Sequence, residues 1–189
     1  MARELWLIRH AETEWSKAKK HTGRTDLPLT EAGREHAAAL RERLAGVTFD
    51  AVFVSPLARA RVTAELAGLG DRALVRDDLM EWDYGAYEGR TTDEIREERP
   101  DWLLWRDGVP EGERADDVGA RADRVIAEAA AVEGDGPIAI VAHGHILRVL
   151  AARWVEQPAA FGGRLALKTA GIGRCGFERE VRVLSGWNI

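Results

Sequence analysis

The 189 residues suffice for one compact domain, residues 1–189, and the 46% hydrophobic and 31% charged content is that of a soluble globular chain. A net charge of −5 argues against a nucleic-acid partner, and the single Cys175 excludes an intramolecular disulfide or a cysteine-built metal centre. No apolar stretch approaches the roughly 20 residues of a membrane span, and the run after Met1-Ala2-Arg3-Glu4 is too short for a signal peptide, so the expected location is cytoplasmic.

Leu5-Trp6-Leu7-Ile8 reads as a strand buried on both faces, ending abruptly in Arg9-His10. A long loop follows to Leu29, locally basic through Lys17, Lys19, Lys20 and Arg24, which suits a small anionic ligand. Thr30 is the expected N-cap of a helix through Leu44, with Ala37, Leu40 and Leu44 on one face. Ala51–Val54 is the next strand. Ser55-Pro56 then predicts a helix with serine as N-cap and proline in its first turn, running to about Ala67 and carrying Arg59. Leu74-Val75 is a short strand. Leu79 to Gly89 mixes glycines, acids and aromatics and reads as a structured loop over a pocket. Short helices are expected at Asp93–Glu98 and Asp101–Arg106, with Trp102 and Trp105 as packing residues. A long amphipathic helix is expected over Asp117–Val132, a buried strand over Ile138–Ala142, and a helix over His145–Val155. The tail from Leu165 to Trp187 alternates apolar and charged residues around a turn near Arg179-Glu180 and predicts antiparallel strands, with Cys175 as a buried filler.

Strands alternating with helices imply an α/β fold: three layers, a mostly parallel sheet with helices on both faces. The carboxyl ends of such strands are where ligands bind. Arg9-His10, Arg59 and His143 all follow strand ends, a cluster suited to a phosphate dianion, and Gly144 adds a backbone N–H at a helix start. Arginine beside histidine would repel a metal cation. No GxGxxG follows a strand and no GxxxxGK[ST] occurs, so a nucleotide fold is not indicated.

Arg9-His10-Ala11-Glu12-Thr13-Glu14-Trp15 resembles the signature of the histidine phosphatase superfamily, the group that includes the cofactor-dependent phosphoglycerate mutases. The resemblance continues in order through Thr22-Gly23-Arg24, Leu29-Thr30-Glu31-Ala32-Gly33, Ser55-Pro56-Leu57-Ala58-Arg59-Ala60, Leu79-Met80-Glu81, Tyr87-Glu88-Gly89 and His143-Gly144. Glu81 to Trp105 and the tail look most like bacterial acid phosphatases of this group. The resemblance implies a phosphoglycerate mutase-like fold, with His10 as nucleophile forming a phosphohistidine. It implies that Arg9, Arg59 and His143 hold the phosphoryl oxygens and that Glu81 is the general acid and base; its neighbours Trp82, Tyr84 and Tyr87 predict that Glu81 is half-buried. Ser16, Thr22 and Gly23 match substrate-contacting positions. The chain departs from the pattern at Ala11 (usually glycine), at Ser16 (usually asparagine) and at Arg114 (commonly serine, at a helix cap).

The expected activity is a metal-independent phosphomonoesterase of acid phosphatase type, acting on small phosphorylated metabolites without a cofactor. The alternatives are a phosphoglycerate mutase and a non-catalytic phospho-ligand binder. A mutase needs extra cations to hold a second phosphate, and Arg90 to Asp101 offers five carboxylates against three arginines. A homo-oligomer stays open.

Overall fold

The buried runs become strands and the 3.6-residue patterns become helices, in the order β1 (Leu5–Arg9), α1 (Glu14–Lys17), α2 (Glu31–Arg43), β2 (Ala51–Val54), α3 (Ala58–Leu66) and β3 (Ala73–Val75). There follow α4 (Thr92–Glu98), α5 (Leu104–Asp107), α6 (Ala115–Ala131), β4 (Ile138–Ala142), α7 (Gly144–Trp154), β5 (Ile172–Glu178) and β6 (Val181–Trp187). The structure is a computed structural model and describes residues 3–189. The strands form one six-stranded sheet in the order β3-β2-β4-β1-β5-β6. β1 to β4 run parallel, while β5 is antiparallel to β1 and β6 to β5. The fold is the mostly parallel α/β sheet that the sequence predicts.

Side chains on a strand alternate between faces, and the alternation here divides the core in two. Leu5, Leu7, Phe53, Ile138 and Ile140 face one side and pack with Val118 and Val125 of α6 and Ile146 and Leu150 of α7. Trp6, Ile8, Val52, Val54, Ala139 and Val141 face the other and pack with Ala37 and Leu40 of α2 and Ala60 and Ala64 of α3. Burying each large aliphatic side chain contributes about 1.5–3 kcal/mol. Because both faces are covered, β1 and β4 show unbroken apolar runs. Their register pairs Arg9 with Ala142, so the residues that follow, His10 and His143, leave the sheet side by side.

Several elements differ from expectation. The helix after β2 begins at Ala58, with Leu57 at the N-cap, and Ser55 does not cap it. The Ser55 hydroxyl is turned to His143 Nε2 at 2.7 Å, and the Asp26 carboxylate accepts the Ala58 N–H instead, at 2.9 and 3.1 Å. The loop from Ala11 to Leu29 contains a helical turn, α1, closed by reciprocal bonds between Thr13 and Ser16. The helix expected at Asp101–Arg106 starts only at Leu104. Arg114 sits at the N-cap of α6, where its N–H donates to the Asp117 carboxylate at 2.8 Å, so that cap survives without a serine. Cys175 is buried in β5, and burial pushes its thiol pKa up. No helix of the described residues is long and apolar enough to cross a membrane.

Thr30 caps α2, its hydroxyl accepting the Gly33 N–H at 2.9 Å. Gly33 lies so close to the loop after β1 that an added Cβ would stand 2.2 Å from the Glu12 carbonyl oxygen. Gly33→Ala must therefore shift backbone, an overpacking cost of about 1–3 kcal/mol. The expected fall in Tm is roughly 3–10 °C by calorimetry. An unchanged Tm would show that α2 does not dock on this loop.

Candidate active site

His10 follows β1 and is 4% exposed. Its N–H donates to the Ala142 carbonyl at 2.8 Å, which locks the residue to the neighbouring strand. Its ring Nδ1 lies 2.7 Å from the Ala11 carbonyl oxygen, an acceptor only, so Nδ1 carries the proton and Nε2 keeps its lone pair. Ala11 accommodates its Cβ without left-handed backbone: it is buried in the core and its N–H donates to the Thr63 hydroxyl at 3.1 Å.

His10 lines a cavity of about 330 Å³ at the carboxyl edge of the sheet, together with Arg9, Ser16, Thr22, Glu81 and Gly144. Arg9 donates through Nη1 to the Leu167 carbonyl at 2.5 Å, while its Nε is buried without a partner among the described residues. Its guanidinium lies over Gly144, where a Cβ would come within 3.2 Å of it. A larger residue here would make the arginine give by a few tenths of an ångström.

Glu81 is buried rather than half-buried, at 5% exposure. Its Oε1 accepts the N–H groups of Trp82 and Ile146 and its Oε2 that of His145, each at 2.9 Å. The carboxylate thus caps the N-terminus of α7, where the helix end favours negative charge. Oε1 is saturated, while Oε2 retains one lone pair.

The remaining sequence-predicted residues are placed differently. Arg59 and His143 are fully buried behind the cavity, not on its lining. Arg59 Nε donates to His143 Nδ1 at 3.1 Å, and its terminal nitrogens donate to the carbonyls of Thr22, Gly23 and Thr25. Four of its five N–H donors are thus committed to the loop and to His143. His143 Nδ1 therefore accepts, and Nε2–H donates to Ser55. Gly23 is not a lining residue, because its N–H is taken by the Glu88 carboxylate at 2.9 and 3.0 Å. Ser16 does line the cavity, with its hydroxyl engaged by the backbone of Thr13. Thr22 does too, its hydroxyl donating to the Lys20 carbonyl at 3.0 Å.

The cavity also contains Lys19 and Lys20, in keeping with the basic loop, and His21, Tyr84, His145 and Arg148. Arg148 is not among the sequence-predicted site residues. The available signal was an arginine inside the apolar run Ile146-Leu147-Arg148-Val149-Leu150. The Tyr84 hydroxyl bonds His145 Nδ1, and Trp102 and Trp105 pack as expected, edge-on against His21 and Trp82. His36 is exposed.

Burial, then the charges of Arg9 and Arg59, hold the His10 pKa well below its usual value. Burial does the same to His143, with Arg59 next in effect, and to His145, with Arg148 next; it lowers His21 to about 4. Burial raises the Tyr84 pKa well above its usual value, so it stays a phenol. The cavity therefore presents a neutral imidazole lone pair among fixed cations, an arrangement able to attack an electrophile bearing negatively charged oxygens.

The family model described as histidine phosphatase superfamily (branch 1) matches residues 5–189. An acid phosphatase of Mycobacterium tuberculosis (strain ATCC 25618 / H37Rv) is 45% identical over 183 residues, covering 96% of this chain and 90% of its own. A sedoheptulose 1,7-bisphosphatase of Saccharomyces cerevisiae (strain ATCC 204508 / S288c) is 39% identical over 181 residues, covering 78% of this chain and 66% of its own. The solved structure of a Mycobacterium tuberculosis open reading frame superposes with a TM-score of 0.94 at 44% identity, over 99% of this chain and 97% of that one.

The buried histidines make stability depend on pH. Folded, His10, His21, His143 and His145 stay neutral below the usual histidine range, whereas unfolded they protonate near 6.5. The unfolded chain then binds more protons, so their contribution is intact above about pH 6.5 and is lost as pH falls below it. The share of His21 ends near pH 4. With at least two protons taken up, urea titrations should show stability falling by roughly 3 kcal/mol per pH unit between pH 6 and 5. A flat profile from pH 7 to 5 would mean that the histidines titrate freely in the fold.

Proposed function

The chain belongs to the histidine phosphatase superfamily and is an enzyme of its phosphatase kind; from that premise we propose that it hydrolyses small phosphomonoesters through a phosphohistidine on His10, without a metal, as a single cytoplasmic domain. The observation that carries this reading is the Nδ1–H bond of His10 to the Ala11 carbonyl, which leaves Nε2 as the nucleophilic atom inside a cationic cavity.

In this reading Nε2 attacks phosphorus and the ester P–O bond breaks. Charge on the equatorial oxygens is met by the guanidinium of Arg9, which lines the cavity. The leaving alkoxide takes a proton from Glu81, whose Oε2 has the free lone pair to carry it. Water then attacks the phosphohistidine, gives its proton to Glu81, and releases phosphate as the P–N bond breaks. Arg59 and His143 act one layer back, as positioning residues. Arg59 ties the loop of Thr22 to Thr25 to His143, and its charge helps keep His10 neutral.

Hydrolysis is favoured over the mutase reading by the 45% identity to an acid phosphatase, and the segment from Arg90 to Asp101 adds no cation to the cavity. Its arginines are committed locally: Arg90 to Glu98 at 2.7 Å, Arg96 to the Trp102 carbonyl at 3.0 Å and Arg99 to the Tyr87 hydroxyl at 3.3 Å. None of the three lines the cavity.

His10→Ala should abolish turnover of para-nitrophenyl phosphate while circular dichroism stays native. Acid-quenched wild-type protein should carry acid-labile, base-stable phosphate, and EDTA should leave the rate unchanged. Label on serine, or a fully active variant, would overturn the covalent step.

Glu81→Gln should slow alkyl phosphates by about 10²–10⁴-fold and aryl phosphates much less, because a nitrophenolate scarcely needs the proton. Equal losses for both ester types would remove Glu81 from the proton-carrying role.

A further inference from the structure

Arg148 stands on α7 four residues after Gly144, hence on the same face and about 6 Å further along the helix. Its Nε donates to the Gly162 carbonyl at 2.9 Å and its Nη2 to the Gly163 carbonyl at 3.0 Å, with the guanidinium 4.7 Å above the Trp105 ring. Its Nη1 has no hydrogen-bond partner among the described residues. The group is fixed by carbonyls and an aromatic face, and no carboxylate lies within ion-pair distance of it among the described residues. A half-buried cation held this way is organised before any ligand arrives.

Lys19 and Lys20 reach the same cavity from the loop after α1. Lys19 adopts a φ of 57°, left-handed backbone that a lysine rarely takes, and Lys20 lies 5.7 Å from the Trp15 ring centroid. Neither lysine forms an ion pair within 4 Å among the described residues. The one carboxylate on the lining is Glu81, already met by three backbone N–H groups. The cavity therefore presents Arg9, Lys19, Lys20 and Arg148 against a single acid. One phosphoryl group beside His10 leaves positive charge unmatched.

We propose that the substrates are phosphomonoesters carrying a second anionic group, a phosphate or a carboxylate, and that Arg148, Lys19 and Lys20 hold it and set the preference. The proposal rests on the phosphatase reading of this cavity and names its substrate class.

The test uses two matched pairs of esters: fructose 1,6-bisphosphate against fructose 1-phosphate, and 3-phosphoglycerate against glycerol 1-phosphate. The partner with the second anionic group should win in kcat/KM by about tenfold or more in at least one pair, as expected for one charged hydrogen-bonded contact. Preference in the first pair alone assigns a second phosphate, and preference in the second alone assigns a carboxylate. Arg148→Gln should collapse the ratio through KM rather than kcat, and Arg148→Lys should restore part of it. Lys20→Gln, which leaves the Gly162 and Gly163 carbonyls bonded, should lower the ratio as well. The same four esters titrated calorimetrically into the His10→Ala protein read the preference without turnover. Equal affinities and equal kcat/KM within both pairs would overturn this proposal while leaving His10-dependent hydrolysis intact. A binding preference with no His10-dependent hydrolysis would instead overturn the phosphatase reading.

Discussion

The parallel pairing of β1 with β4 is the constraint on which the site depends. Its register sets Arg9 opposite Ala142, and the bond from the His10 N–H to the Ala142 carbonyl extends the ladder one step beyond the strands. Two chain segments separated by more than a hundred residues thereby release their histidines together, with ring centroids 5.1 Å apart. The same register starts α7 under Arg9, where Gly144 permits the close approach. A one-residue slip would turn every β1 side chain to the opposite face and carry His10 away from the Ala142 carbonyl.

Glu81 couples that frame to its proposed chemistry. The carboxylate that would shuttle the leaving-group proton is also the cap of α7, the helix that carries Arg148 and His145. An acid in this position is held immobile by three backbone donors, which is the preorganisation that a reacting proton requires. The arrangement also links the charge of Glu81 to the integrity of the helix end, so site and scaffold are not separable there.

Much of this was legible because the deciding signals are local or periodic. The runs at β1 and β4, the Thr30 cap, the amphipathic pattern of α6 and the turn at Arg179 each depend on neighbouring residues and appear as read. In three places a distant partner outbids the local preference. Ser55-Pro56 has the chemistry of a helix start, but Ser55 is recruited by His143, eighty-eight residues away. Arg59 has the register of an anion-gripping residue, but three loop carbonyls and His143 take four of its five donors. Gly23 offers an N–H in the sequence that Glu88 occupies in the fold. Arg148 shows the reverse case, since its neighbours suggest only a buried helix and its value comes from Gly162, Gly163 and Trp105.

The electrostatics of the cavity set two demands against each other. Arg9 and Arg59 are desolvated cations, and burial lowers the pKa of both. Their field, added to burial, keeps the proposed nucleophile His10 unprotonated, so its lone pair persists under acid conditions that would silence a solvated histidine. The depression that preserves a neutral nucleophile in acid also makes the folded chain refuse protons that the unfolded chain accepts. His143 and His145 deepen the conflict without contributing a nucleophile. A bound dianion relieves it, because negative charge beside Arg9 offsets the field that disfavours the protonated rings. Ligand binding should therefore stabilise the fold more in acid than at neutrality, and the buried cations gain a partner in the same step.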